Sequence, residues 1–62
     1  MEATYTFQFD IGQKVLVDRD TSMTFVVLGI SVYPRGTEYL LGWVNDGNLN
    51  QSNVDEFRLS PA

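Results

Sequence analysis

The run Glu38–Gly47, EYLLGWVNDG, constrains the fold more than any other stretch of the chain. Tyr39, Leu41 and Trp43 alternate with Leu40, Gly42 and Val44, and Asn45-Asp46-Gly47 closes the run. A period of two ending in an Asp-Gly turn predicts a strand that enters a tight hairpin. The strand carries the only Trp and one of three Tyr, so it is expected at the centre of the core with Tyr39, Leu41 and Trp43 facing inward. It bears no catalytic signature.

A chain of 62 residues has room for one core, and at this size it buries only about 60% of the surface exposed when unfolded. With no Cys and no His, disulfides and cysteine-based zinc sites are excluded, and so is the commonest general base. Stability must come from a packed core or from a subunit interface, and a hydrophobic fraction of 44% suits either. No metal or cofactor is expected. No run approaches the roughly 18 apolar residues of a membrane span, and MEATYTFQFD lacks the basic and apolar regions of a secretory signal. The reading is a soluble, cytoplasmic protein without a membrane partner. Eight acids face four scattered bases, Lys14, Arg19, Arg35 and Arg58, for a net charge of −4. Nucleic-acid binding needs clustered cations to displace counterions, so it is disfavoured.

Tyr5, Phe7 and Phe9 alternate with polar residues, and residues 1–10 are read as an N-terminal arm or an extra edge strand ahead of a barrel over 11–62. Asp10-Ile11-Gly12 predicts a turn. Gln13–Asp18 predicts a strand with Val15 and Val17 inward and Lys14, Leu16 and Asp18 outward. Arg19–Ser22 is a loop. MTFVVLGISVY (23–33) is the longest apolar run, and its β-branched residues and Gly29 argue for a strand rather than a helix. Phe25 and Val27 fall on one face, and Val26, Leu28, Ile30 and Val32 on the other. Such a strand is buried on both faces, either by bending at Gly29 or by meeting another subunit. Tyr33-Pro34-Arg35-Gly36 is turn chemistry. Asn48–Gln51 predicts a short polar strand. Asn53 with Glu56 resembles a capping box for one 3₁₀ turn. Phe57–Leu59 predicts the last strand, and Ser60-Pro61 its stop.

The succession G-x-x-V-x-V (Gly12, Val15, Val17), V-L-G-I (Val27–Ile30), Y-x-L-x-W-x-x-D-G (Tyr39–Gly47) and V-x-E-x-x-L (Val54–Leu59) resembles the small SH3-like barrels of phages and mobile elements. The resemblance covers about residues 11–60. It implies an all-β, five-stranded SH3-like barrel with one 3₁₀ turn before the last strand, and it says nothing about function, because unrelated modules share the fold. The chain is also distantly similar to the plasmid-encoded type II dihydrofolate reductases, in which four subunits enclose a pore where folate and NADPH meet. Their pore motif is Val-Gln-Ile-Tyr. The corresponding stretch here, Leu49-Asn50-Gln51-Ser52, lacks the Ile and Tyr on which the ligands would rest.

Three groups of residues invite a functional reading. Phe25, Tyr33, Tyr39 and Trp43 could form a cage for a cation beside Glu38 or Asp46, although alternation argues that Tyr39 and Trp43 are core. Asp18/Asp20 and Asp55/Glu56 are carboxylate pairs, but they lack companion ligands at calcium-loop spacing. Asn45, Asn48, Asn50, Gln51 and Asn53 both donate and accept, so they can read another surface or satisfy an edge strand. The expected contact residues are Tyr33, Arg35, Asn48, Asn50 and Gln51, with no catalytic residues. Leu16, one face of 23–33, and Tyr5, Phe7 and Phe9 exceed what one small barrel can hide. The chain is therefore expected to be a non-enzymatic binding or assembly module that forms homo-oligomers. A protein partner bound through an acidic face, as in a phage inhibitor of a host protein, is the alternative, and a divergent reductase is another.

Overall fold

The computed structural model describes residues 7–62. The five strands are β1 (Lys14–Val17), β2 (Phe25–Tyr33), β3 (Gly36–Asn45), β4 (Asn48–Asp55) and β5 (Leu59–Pro61), with a 3₁₀ turn at Glu56–Arg58 leading into β5. All pairings are antiparallel, and the strands form one sheet in the order β4-β3-β2-β1-β5. The expected all-β architecture, with five strands and a 3₁₀ turn before the last, is what the chain forms.

Alternation along β3 builds the core. Tyr39 and Leu41 are fully buried, and they meet Phe9, Val15, Val27 and Leu59. Val17, Phe25, Ile30 and Val54 pack around this cluster. Phe9 thus belongs to the core, with its ring edge-on to Tyr39 at 5.5 Å between centroids. The backbone over residues 7–13 forms bends and turns rather than a strand. Tyr5 lies outside the described residues.

Two turns follow from local chemistry. Asp46 (φ 51°) and Gly47 (φ 77°) are both left-handed and join the paired residues Asn45 and Asn48. That is the primed two-residue hairpin turn that Asp-Gly favours, whose twist matches that of the strands. Asp18 (φ 52°) and Arg19 (φ 60°) turn the chain after β1.

Three expectations are corrected. In β2 the register shifts between Val27 and Gly29, so Leu28 is an extra residue in a bulge. The bulge inverts the phase of the strand, so Ile30 packs on the core with Val27 instead of joining Val26 and Leu28. β4 runs on to Asp55, and Asn53 pairs with Leu40 inside it rather than capping the 3₁₀ turn. Asp55 takes the cap position and makes no side-chain capping bond. Finally, Phe57 and Arg58 lie in the 3₁₀ turn, whereas Pro61 continues the last strand opposite Val15. Ala62 N donates to Lys14 O, so alternation aims the Pro61 nitrogen away from β1, and an edge strand loses no bond there.

Candidate binding surface

Tyr39 and Leu41 are turned to the core, whereas Trp43, expected inward with them, is only half-buried and lies outside the core cluster against Phe25. Leu40, Gly42 and Val44 alternate with these residues and face outward, alongside Val26 and the bulged Leu28 of β2. Leu49, paired with Val44, extends this outer face onto β4. Thr24, Val26, Leu28, Gly42, Trp43, Val44 and Leu49 line an open groove of about 330 Å³ without a single charged side chain. Leu28 is 39% exposed, Leu49 64% and Val44 68%. Gly42 shapes the groove floor, because a Cβ there would stand 2.6 Å from Leu28 Cδ1. The missing side chain lets Leu28 lie across the sheet. Within the single chain β2 is half-buried, and Leu28 is exposed on its outer side, so of the two ways of covering both faces the bend at Gly29 does not achieve it.

The five expected contact residues fall into separate places. Asn48 and Asn50 lie on β4 next to the Asp46-Gly47 turn, where Asn50 Nδ2 donates to Asn48 O at 3.2 Å. Asn50 pairs with Trp43 and shares its face, whereas Gln51 pairs with Gly42 and faces the groove side. Tyr33 and Arg35 lie at the other end of β3, roughly 30 Å away at the rise of a strand. There Arg35 sits 4.9 Å over the Tyr33 ring and donates to Glu38. The aromatic cage is not assembled. Trp43 meets Phe25 edge-on at 5.1 Å, Tyr39 is fully buried, and Tyr33 stands apart with Arg35.

Three of the four paired carboxylates, Asp18, Asp20 and Glu56, hold structural hydrogen bonds. Arg58 donates through Nε to Asp18 Oδ1 (3.0 Å) and through Nη2 to Asp18 Oδ2 (2.7 Å). Those bonds hold the Asp18 carboxyl below its ordinary value, and they tie the turn after β1 to the 3₁₀ turn. Asp20 accepts from the N–H and hydroxyl of Ser22, which lowers its pKa too. Glu56 accepts from the hydroxyl of Tyr39 at 2.6 Å. Burial first, and then this carboxylate, raise the pKa of that hydroxyl. Among the described residues no group of three acidic side chains converges as a metal site would require.

Sequence reasoning missed Leu49 and Phe57 as surface features. Composition places Leu49 in a polar strand and Phe57 in the last strand, yet Leu49 is 64% and Phe57 86% exposed. It separates two charged hollows, one lined by Asp18, Arg19 and Arg58 and the other by Arg35, Asp55 and Glu56. The outward phase of Val44 was legible from the alternation of β3. Gly29 marks the place where β2 is irregular, as expected of a bend there, but nothing in the sequence shows that the extra residue is Leu28 or that it lies over Gly42.

The domain is thus an all-β, single-sheet module, and no described helix is long and apolar enough to cross a membrane. The sequence matches no family model, and comparisons with curated proteins and with solved structures yield no match.

Proposed function

We propose that this chain is a non-enzymatic, cytoplasmic binding and assembly module with an SH3-like barrel fold, and that the partner it meets first is another copy of itself. The observation that carries the reading is the uncharged outer groove around Leu28, Gly42, Val44 and Leu49. On a chain of net charge −4, an uncharged apolar face is where two copies meet with least repulsion. The strand order and the 3₁₀ turn ahead of β5 support the SH3-like assignment. The non-enzymatic reading draws support from three of the four paired carboxylates, which bind structural partners in Asp18–Arg58, Asp20–Ser22 and Glu56–Tyr39.

Amide and methyl chemical shifts followed across a dilution series test this reading. Val26, Leu28, Gly42, Val44 and Leu49 are expected to shift with concentration, while Val15 and Leu41 in the core stay constant. Shifts independent of concentration would contradict it. Titration with NADPH and dihydrofolate tests the reductase alternative, and no binding is the expected result.

A further inference from the structure

The two ends of the sheet are unlike each other. β5 is three residues long and carries Pro61, so it is poorly suited to pairing with another chain. β4 has eight residues, pairs with β3 without a bulge, and contains no Lys, Arg or Pro. Its span 48–54, NLNQSNV, has no charge at all. Natural edge strands are usually protected by charge, proline, a bulge or shortness, and β4 has none of these before Asp55 at its end.

The hairpin geometry shows which backbone groups are open. Asn45 and Asn48 close a two-residue turn, so they form a hydrogen-bonded pair, and such pairs alternate along an antiparallel ladder. Asn48, Asn50, Ser52 and Val54 therefore bond inward to β3. Leu49, Gln51 and Asn53 point their N–H and C=O groups out of the sheet edge, and among the described residues no turn or loop bond uses them.

We propose that β4 pairs antiparallel with β4 of a second copy, with Gln51 on the two-fold axis. This rests on the self-association reading above, but it seats the contact on the β4 edge beside the groove rather than on the groove face. A register centred on Gln51 is singled out because Gln51 is the midpoint of the uncharged span, so the whole span meets itself. Leu49 faces the partner's Asn53, Gln51 faces the partner's Gln51, and Asn53 faces the partner's Leu49. Each pair exchanges two backbone hydrogen bonds. Asp55 falls opposite the partner's Gly47, so no like charges stand opposed within the strands. One sheet then runs through both copies, and both apolar grooves open on the same side of it. The interface is isologous and closes at two.

Because Gln51 opposes itself, charge at this position reports the register. Gln51→Lys and Gln51→Glu are each expected to weaken self-association at least tenfold in sedimentation equilibrium, and an equimolar mixture is expected to restore it. Far-UV circular dichroism checks that both variants fold. If either fails to fold, a synthetic chain N-methylated at Gln51 removes the outward donor while leaving the β3 ladder bonds in place, and the same tenfold loss is expected. Wild-type association that both Gln51 variants retain, with Leu49→Lys alone disrupting it, would overturn edge pairing and leave self-association through the groove face standing. A wild-type chain that stays monomeric would overturn both readings.

Discussion

The hydroxyl of Tyr39, in the middle of β3, donates a 2.6 Å hydrogen bond to Oε2 of Glu56 at the start of the 3₁₀ turn. The same hydroxyl accepts from Phe9 N at 3.4 Å, and the Glu56 oxygen accepts from Gln8 N at 3.4 Å. One phenol thus joins the entering chain, the central strand and the turn that delivers β5. Tyr39→Phe keeps the ring and leaves these groups without their shared partner. The expected loss is about 1 kcal/mol in denaturant unfolding. Its pH dependence is also specific. The pKa of Tyr39 is raised in the folded state, so its contribution is complete below the ordinary value of about 10 and is lost as pH rises through the folded value. Wild-type stability should fall above pH 10 more steeply than that of Tyr39→Phe.

Acid dependence has a different source. The pKa of Asp18 is lowered by its hydrogen bonds to Arg58. Its contribution is therefore present above the ordinary value of about 3.9 and disappears as pH falls through the lower folded value. Asp18→Asn suits the left-handed backbone at this site (φ 52°), so it tests the charge without straining the turn. Thermal melts below pH 4 should show a shallower pH dependence for the variant than for the wild type.

The hairpin turn offers a test of backbone conformation alone. Gly47 has φ 77°, and a Cβ there would meet nothing within 4 Å. Gly47→Ala should cost about 1 kcal/mol from conformational strain. A synthetic chain with D-alanine at the same position should recover wild-type stability. Equal losses in the two would assign the effect to contacts instead.

Gly42 tests the groove. Gly42→Ala places a methyl group 2.6 Å from Leu28 Cδ1, too close for both to stay. Leu28 is partly exposed and can swing to another rotamer, so the net change in stability is expected to stay within about 1 kcal/mol. The methyl resonances of Leu28 should move strongly while those of Leu41 hold. A large loss of stability would mean that Leu28 is locked by its neighbours.

The strands of this protein were readable where side-chain alternation and turn chemistry agree. In β3 the pattern Tyr39-Leu41-Trp43 and the Asp46-Gly47 turn state one register twice, and that register forms. Val15 and Val17 of β1 were legible for the same reason. Alternation fails at Leu28, because a bulge is decided by how β2 fits β3 and not by residues in β2 alone. The capping spacing of Asn53 and Glu56 predicts the 3₁₀ turn too early, because pairing to Leu40 holds Asn53 in β4. The candidate surface was half visible. The amides of β4 were singled out from composition, yet their separation from Tyr33 and Arg35 by the length of β3 needed the fold. Of the apolar excess expected from Leu16, one face of 23–33 and Tyr5, Phe7 and Phe9, Val26 and Leu28 do lie on the outer face, whereas Phe9 is core; Val44 and Leu49, which complete that face, were not part of the expectation.

The most direct test of the account is the solution mass of the wild-type chain, measured by light scattering across a dilution series. The account predicts a mass of twice the 7.0 kDa chain at high concentration, falling toward that of the single chain on dilution. A mass of one chain at every concentration would contradict it.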